Sequence, residues 1–343
     1  MSNQTNVRVK NINLCKICKK AGETLYRDLQ DVLFKVDGKW TLMECSHCQL
    51  AWLQNQPISA DLHKLYSYYH THNLPNLNFS QGLGRIKWML RKCILAYAHG
   101  YFGTPMEKRV GKLLSSIPRL KQNALTAVLW IKGPQGKLLD VGCGNGVFLK
   151  KMEQLGWQGH GVEFDPNSVK RAKNIGLDVL ARSLEHAKYP SDTFDLVTMI
   201  HVIEHLPQPD FTLQECFRVL KPGGRIMVVT PNTRSLGHQR FKQAWRGLET
   251  PRHLYLFSGQ SLATMIEASG FKLTIEKTIA RTAKSMYLAS LDIQNKQQGK
   301  ANLDINAQKP VARRFQKKQV EEAKYSDCGE ELYILAEKPR QSN

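Results

Sequence analysis

The stretch "KLLDVGCGNGVFLKKM", residues 137 to 152, constrains this chain more than any other. An apolar run is followed by three glycines in five positions, Gly142, Gly144 and Gly146, and then by a segment of helical periodicity that ends at Gly156. That order predicts a strand, a tight turn and a helix start. Glycine lets the backbone enter left-handed conformations and lets a ligand come close, while the first turn of a helix offers unused N–H groups. The next strand-like run, "GHGVEFD", puts Glu163 about 20 residues past the first glycine, where a carboxylate accepts both hydroxyls of a ribose. A ribonucleoside ligand is the expectation.

Strand and helix patterns alternate from 137 to about 280, which predicts an α/β domain built on a mainly parallel sheet. The run "EELYILAEK" near the end regains the strand pattern and suggests a last strand returning to that sheet. The domain therefore spans 136–290 and 326–343. Between these parts, residues 291–325 are polar and poor in aromatics, and they read as a flexible loop or insertion. Residues 57–135 read as a helical, basic cap or linker, and residues 1–56 hold two cysteine pairs. No uncharged apolar run reaches the length of a membrane span, and the first thirty residues lack the apolar block of a signal peptide, so a cytoplasmic address is expected.

Cys15, Cys18, Cys45 and Cys48 form two CxxC pairs, with 26 residues between them that are rich in strand patterns. Four thiolates at this spacing close a tetrahedral zinc site with no open position, and two such knuckles joined by strands describe a zinc ribbon. His47 lies inside the second knuckle and is not expected to be a ligand. The other four cysteines have no ligand spacing.

A dinucleotide fingerprint would place glycine at 147, where this chain has Val147, so a pyrophosphate is disfavoured. GxGxG with an acid ending the second strand resembles instead the class I S-adenosylmethionine-dependent methyltransferases. "YPSDTFDLVTMIHVIEHLPQPDFTLQECFRVLKPGGRIMVVTPN", 189 to 232, is similar to that family's fourth strand, following helix and fifth strand, with its "LKPGG" turn. The resemblance implies a Rossmann-like sheet with an antiparallel last strand, and S-adenosyl-L-methionine as cofactor. It also implies that Gly142 and Gly144 line the methionine part and that Asp140 holds the amino group. Glu163 would bind the ribose, and His201 would face the methionine end or the transferred methyl. Ser183 and Leu184 would border adenine, although an acid is frequent where Ser183 stands.

Methyl transfer to a hydroxyl or carbon acid requires removal of a proton. "HVIEH" places Glu204 and His205 at a strand's C-terminal end, so His205 is the candidate general base and Glu204 its orienter, unless His205 only caps the following helix. The equivalent pair lies at the active site of sugar methyltransferases that this chain resembles. The proline-rich motif of enzymes that methylate exocyclic amines is missing from that place. A ribbon ending in "LAWL" and followed by "YSYY" resembles methyltransferases of bacterial polysaccharide and sugar modification, which makes Tyr69, beside Tyr66 and Tyr68, a candidate acceptor contact. "ETPRHLYLFSGQSLATMIEASGF" likewise implies Arg252 and His253 near the acceptor.

The chain carries a net charge of +20, and half of it is concentrated. From 81 to 137 eleven Lys or Arg face the single acid Glu107. Helical spacing puts Ile86, Met89, Leu90, Cys93, Ile94, Tyr97 and Tyr101 on one face with basic flanks, a pattern that suits peripheral contact with an anionic membrane or a capping helix. The leading expectation is methyl transfer to a carbohydrate-like or lipid-linked acceptor. The alternatives are an RNA methyltransferase, for which the ribbon lacks a stacking pattern, and a cofactor-binding scaffold without turnover. Nothing in the sequence indicates an oligomeric state.

Overall fold

The computed structural model describes residues 7–66, 82–300 and 304–340, with the side chains of 82 and 83 left aside. In chain order the strands are β1 (Val9–Asn11), β2 (Glu23–Leu29), β3 (Trp40–Glu44), β4 (Ala51–Leu53), β5 (Asn55–Pro57), β6 (Lys137–Val141), β7 (Gln158–Glu163), β8 (Asp178–Ala181), β9 (Phe194–Ile200), β10 (Leu220–Pro231), β11 (Tyr255–Leu256), β12 (Lys272–Ile279) and β13 (Glu331–Glu337). The helices are α1 (Gly82–Ala98), α2 (Pro105–Ser115), α3 (Pro118–Ala127), α4 (Val147–Glu153), α5 (Pro166–Asn174), α6 (Leu184–Ala187), α7 (Pro209–Val219), α8 (Leu236–Phe241), α9 (Gly259–Ala268), α10 (Ala283–Gln297) and α11 (Ile305–Glu322). Seven strands follow the order β12-β13-β10-β9-β6-β7-β8, with β6–β7 and β7–β8 parallel and β12–β13 antiparallel. This is the Rossmann-like, mainly parallel sheet that the sequence pattern predicts, with the expected antiparallel last strand.

The chain forms two compact units, one of Thr71–Thr198 and Arg218–Arg225, the other of Met1–His70, Met199–Phe217 and Ile226–Asn343. In the first, Leu138 and Leu139 of β6 are fully buried, as are Leu149 and Met152 of α4, and Leu149 Cδ1 lies 2.8 Å from where a Cβ on Gly159 of β7 would stand. Gly146 begins α4 at φ 75°, and a Cβ there would lie 2.2 Å from Leu177 Cδ1, so close packing and backbone conformation both require glycine. Before the sheet, α2 opens with a capping box in which Thr104 and Glu107 exchange bonds of 2.7 and 3.2 Å, and Pro105 fills the first helical position. Gly111 of α2 is pressed on α1, and an added Cβ would meet the Cys93 carbonyl oxygen at 1.9 Å.

The apolar face expected for 86–101 is corrected. Cys93, Ile94 and Tyr101 are buried, but Ile86, Met89 and Tyr97 are exposed and Trp88 is turned inward. Simple periodicity misplaced the face because α2 packs across the C-terminal half of α1 through Gly111, covering that half on several sides.

In the second unit the ribbon strands run antiparallel, β2 with β3 and β3 with β4. A late segment completes them: β11 pairs with β4, Tyr255 opposite Trp52 and Leu256 opposite Ala51. The Trp52 side chain is fully buried and its indole N–H donates to the Ile12 carbonyl at 2.9 Å. The irregular insertion expected over 291–325 is also corrected, because α10 and α11 occupy most of it. Asp304 caps α11, Phe315 rests 5.0 Å from the Tyr287 ring, and buried Gln319 donates to Cys328 O and Glu330 Oε2. The helix buries only a narrow stripe around Ala312 and Gln319, so its composition gave little apolar signal.

Candidate active site

The glycine turn lies in the first unit. After Val141 the backbone turns through Gly142 (φ 67°), Gly144 (φ 55°) and Gly146, a conformation that side chains disfavour. Around Gly144 no heavy atom lies within 4 Å of where a Cβ would stand, so the turn borders open space of the kind a ligand fills. Glu163 ends β7 and accepts the Gly144 N–H at Oε2 and the Asp165 N–H at Oε1, each at 2.9 Å. These bonds hold the carboxylate in place, and each oxygen retains a second acceptor direction for a ribose hydroxyl. Asp140 is buried beneath the turn and accepts the Thr198 hydroxyl at 2.6 Å. Burial and the charge of Glu163 push the Asp140 carboxyl up to about 7, against that hydrogen bond. A cationic amino group beside it would return the proton balance toward the carboxylate. An open turn, a pinned acid and a buried acid awaiting a cation fit S-adenosylmethionine.

Ser183 and Leu184, the candidates to border adenine, stand at the start of α6. The exposed Ser183 hydroxyl is engaged by His186 Nδ1 at 2.8 Å, and the Leu184 side chain is sealed in the core. Both placements follow from the short helix α6, which begins at Leu184 and turns that side chain inward.

The second unit gathers the charged groups. Glu204 is fully buried in a one-turn 3₁₀ segment, with Oε2 accepting the Thr230 hydroxyl at 2.8 Å. Although burial opposes it, the neighbouring His201 holds the Glu204 carboxyl down to about 2, so it is ionised. His205 Nδ1 lies 3.1 Å from the Arg252 carbonyl oxygen and 3.1 Å from the Tyr66 hydroxyl. A carbonyl only accepts, so in neutral His205 the proton is on Nδ1 and the lone pair is on Nε2. His253 repeats this arrangement, with Nδ1 on the Gly247 carbonyl at 2.8 Å, and burial together with the charge of His205 pushes it down to about 4. The His205 and His253 rings meet edge to face at 4.6 Å. Glu204, His205 and His253 each bring one ligand atom into a group spanning no more than 4.8 Å, a set able to hold a cation. Glu204 Oε1 is buried without a hydrogen bond and faces His201 Nδ1 at 3.5 Å.

His201 ends β9 at φ 55°, a strained conformation for a side-chain-bearing residue. Its Nε2 bonds Glu331 Oε1 at 2.9 Å, and although burial opposes it, Glu204 and Glu331 raise the imidazole to about 10. His201 is therefore a fixed cation and not a base at neutral pH.

Arg252 departs from the expected acceptor contact. Its guanidinium is completely buried, bonded to Asp31 Oδ2 and Oδ1 at 2.8 and 3.1 Å, beside Glu249 and over the Phe34 ring. The side chain anchors the 249–253 strap, and its carbonyl orients His205. His253 lies beside His205 as expected, and Tyr69 lies outside the described residues. Tyr66, Asp31 and Glu331 were not anticipated in these roles. Tyr66 alone had a signal, its place in the tyrosine-rich segment.

Cys15, Cys18, Cys45 and Cys48 converge. Their Sγ atoms lie 3.4, 3.4 and 3.9 Å apart where paired, close to the about 3.8 Å edge of a tetrahedron with zinc–sulfur bonds of about 2.3 Å. The two knuckles repeat one backbone pattern: Lys19 N–H to Cys15 O at 3.0 Å, and Gln49 N–H to Cys45 O at 2.9 Å. The donor set fits a structural zinc ion.

Among known proteins, residues 109–276 match the model of a family described as methyltransferase domain, just under half of the chain. The ubiquinone biosynthesis O-methyltransferase of Xanthomonas oryzae pv. oryzae (strain PXO99A) is 34% identical over 128 residues, 35% of this chain and 53% of that protein. The protein of the same name from Azoarcus sp. (strain BH72) is 34% identical over 114 residues, 30% of this chain and 49% of that protein. The chain thus spans about half the length of the curated relatives it matches. A crystal structure of an S-adenosylmethionine-dependent methyltransferase from Archaeoglobus fulgidus is similar, with 22% identity, 66% of this chain and 97% of that chain covered, and a TM-score of 0.44.

Proposed function

We propose that this chain, in which residues 109–276 form a class I S-adenosylmethionine-dependent methyltransferase domain, methylates a hydroxyl of a carbohydrate-like or lipid-linked acceptor with His205 as general base. The observation that carries the reading is the bond between His205 Nδ1 and the Arg252 carbonyl, which favours the tautomer whose lone pair is on Nε2. When bound, S-adenosylmethionine supplies the methyl carbon as an electrophile. His205 Nε2 takes the acceptor's hydroxyl proton as the oxygen–carbon bond forms and the carbon–sulfur bond breaks, leaving a neutral thioether and an imidazolium. Buried, ionised Glu204 favours that imidazolium electrostatically. The relatives named O-methyltransferases support oxygen as the receiving atom.

The test supplies methyl-labelled cofactor and enzyme to a cell extract, identifies the labelled product, and then assays His205→Ala on that acceptor. Retained cofactor binding with most turnover lost is expected; full turnover at saturating acceptor removes His205 from the reaction. A second reading rests on Glu204, His205 and His253, whose ligand atoms all lie within 4.8 Å of one another: these three residues would hold a divalent cation that lowers the acceptor hydroxyl's pKa. It predicts Mg²⁺- or Mn²⁺-dependent turnover with the ribbon zinc left in place, and loss of that dependence in Glu204→Gln.

A further inference from the structure

Sixteen large apolar side chains stand exposed among the described residues, and eight of them lie between Ile86 and Leu120. An ordinary surface scatters such residues singly, so this concentration calls for a partner. Phe102, Met106 and Leu113 are the extreme cases at 76, 75 and 74% exposure. Met106 and Leu113 are seven residues apart on α2 and so share a face. Between Arg85 and Lys121 the sequence also carries nine Lys or Arg and one acid, and that acid, Glu107, is engaged in capping α2.

The architecture argues against a surface that collapses on itself. Gly111 fixes α2 against α1 at backbone contact, and Trp88, Cys93, Ile94 and Leu95 already fill the inside of α1. The exposed set is what remains after that core is complete. Its chemistry selects the partner class. Exposed aliphatic and thioether side chains gain nothing against phosphodiester backbones, and a nucleic-acid platform needs aromatic stacking surfaces, of which only Tyr97 and Phe102 are exposed here. Apolar side chains among lysines and arginines match the boundary between acyl chains and anionic headgroups. No helix among the described residues is long and apolar enough to cross a membrane, so contact would be at the surface.

We propose that the α1–α2–α3 segment docks on an anionic lipid bilayer, with Met106 and Leu113 entering the headgroup boundary and the surrounding Lys and Arg meeting lipid phosphates. The test is flotation of the full chain with vesicles of phosphatidylglycerol and phosphatidylcholine in equal parts, against phosphatidylcholine alone and against single-stranded RNA. Binding to the anionic vesicles alone, weakening as salt rises, is expected. Met106→Glu/Leu113→Glu changes two exposed positions and is expected to lower partitioning at least tenfold with an unchanged thermal midpoint. Lys108→Gln/Lys112→Gln is expected to lower it about fivefold per residue. The proposal is overturned if anionic vesicles do not bind, if the folded Met106→Glu/Leu113→Glu protein binds them as the parent does, or if RNA binds and vesicles do not.

Discussion

Replacing Asp31 by Asn tests whether the ribbon holds the 249–253 strap. Asparagine retains one oxygen for the N–H groups of Leu33 and Phe34, which Asp31 Oδ1 accepts at 3.2 and 3.0 Å, while removing the charge that meets Arg252. Breaking a buried ion pair from one side leaves the other charge uncompensated and costs about 3–5 kcal/mol. Glu249 Oε1 at 3.3 Å and the Phe34 ring at 4.2 Å remain with the guanidinium, so the lower end, about 3 kcal/mol, is expected in urea unfolding. Arg252→Met added to Asp31→Asn removes the stranded charge, and the double variant should recover much of the loss, giving a coupling of about 2 kcal/mol or more. Because the Arg252 carbonyl fixes His205 Nδ1, Asp31→Asn should also lower kcat while leaving cofactor affinity as it was. A coupling below about 0.5 kcal/mol, or an unaltered kcat, refutes the reasoning.

Two further outcomes are expected. The Asp140 carboxyl is raised from 3.8 to about 7, chiefly by burial, so it binds its proton more tightly folded than unfolded, and stability of the ligand-free protein falls as pH rises through that interval by at most about 4 kcal/mol. Asp140→Asn should flatten that dependence and raise the thermal midpoint at pH 8 while calorimetry shows cofactor binding lost; an unchanged pH profile contradicts this. The parent is expected to purify with one zinc ion, and Cys45→Ser, which removes one of four converging thiolates, should lose it and lower the unfolding midpoint; full zinc content in the variant would disprove a four-cysteine site.

What the sequence disclosed was encoded at short range. The glycine turn, Glu163 and the cysteine knuckles are spaced along a few residues each, and backbone geometry converts that spacing directly into position. Arg252 misled because its anchor, Asp31, stands 221 positions away, and nothing local distinguishes a buried, paired arginine from one facing a ligand. For His201 only half of the pairing was local: Glu204 stands three positions on, while Glu331 is 130 positions distant. Helix α11 was missed because a polar helix that buries only Ala312 and Gln319 resembles a loop in composition. In α1 periodicity alone misplaced the covered stripe, because the neighbour that decides it, packed through Gly111, stands outside the helix's own sequence.

The pairing of β4 with β11 orders events during synthesis. The four cysteines can meet as soon as the first fifty residues have left the ribosome, yet the edge formed by Ala51–Leu53 gains its neighbour only with Tyr255 and Leu256. Gln56 reaches the carbonyl of Leu254 across 198 positions of chain. Until then the nascent chain carries an open strand edge, a known site of wrong association, and the late contact adds a slow, long-range step to its maturation. Severing the ribbon as an independent module would make that temporary opening permanent.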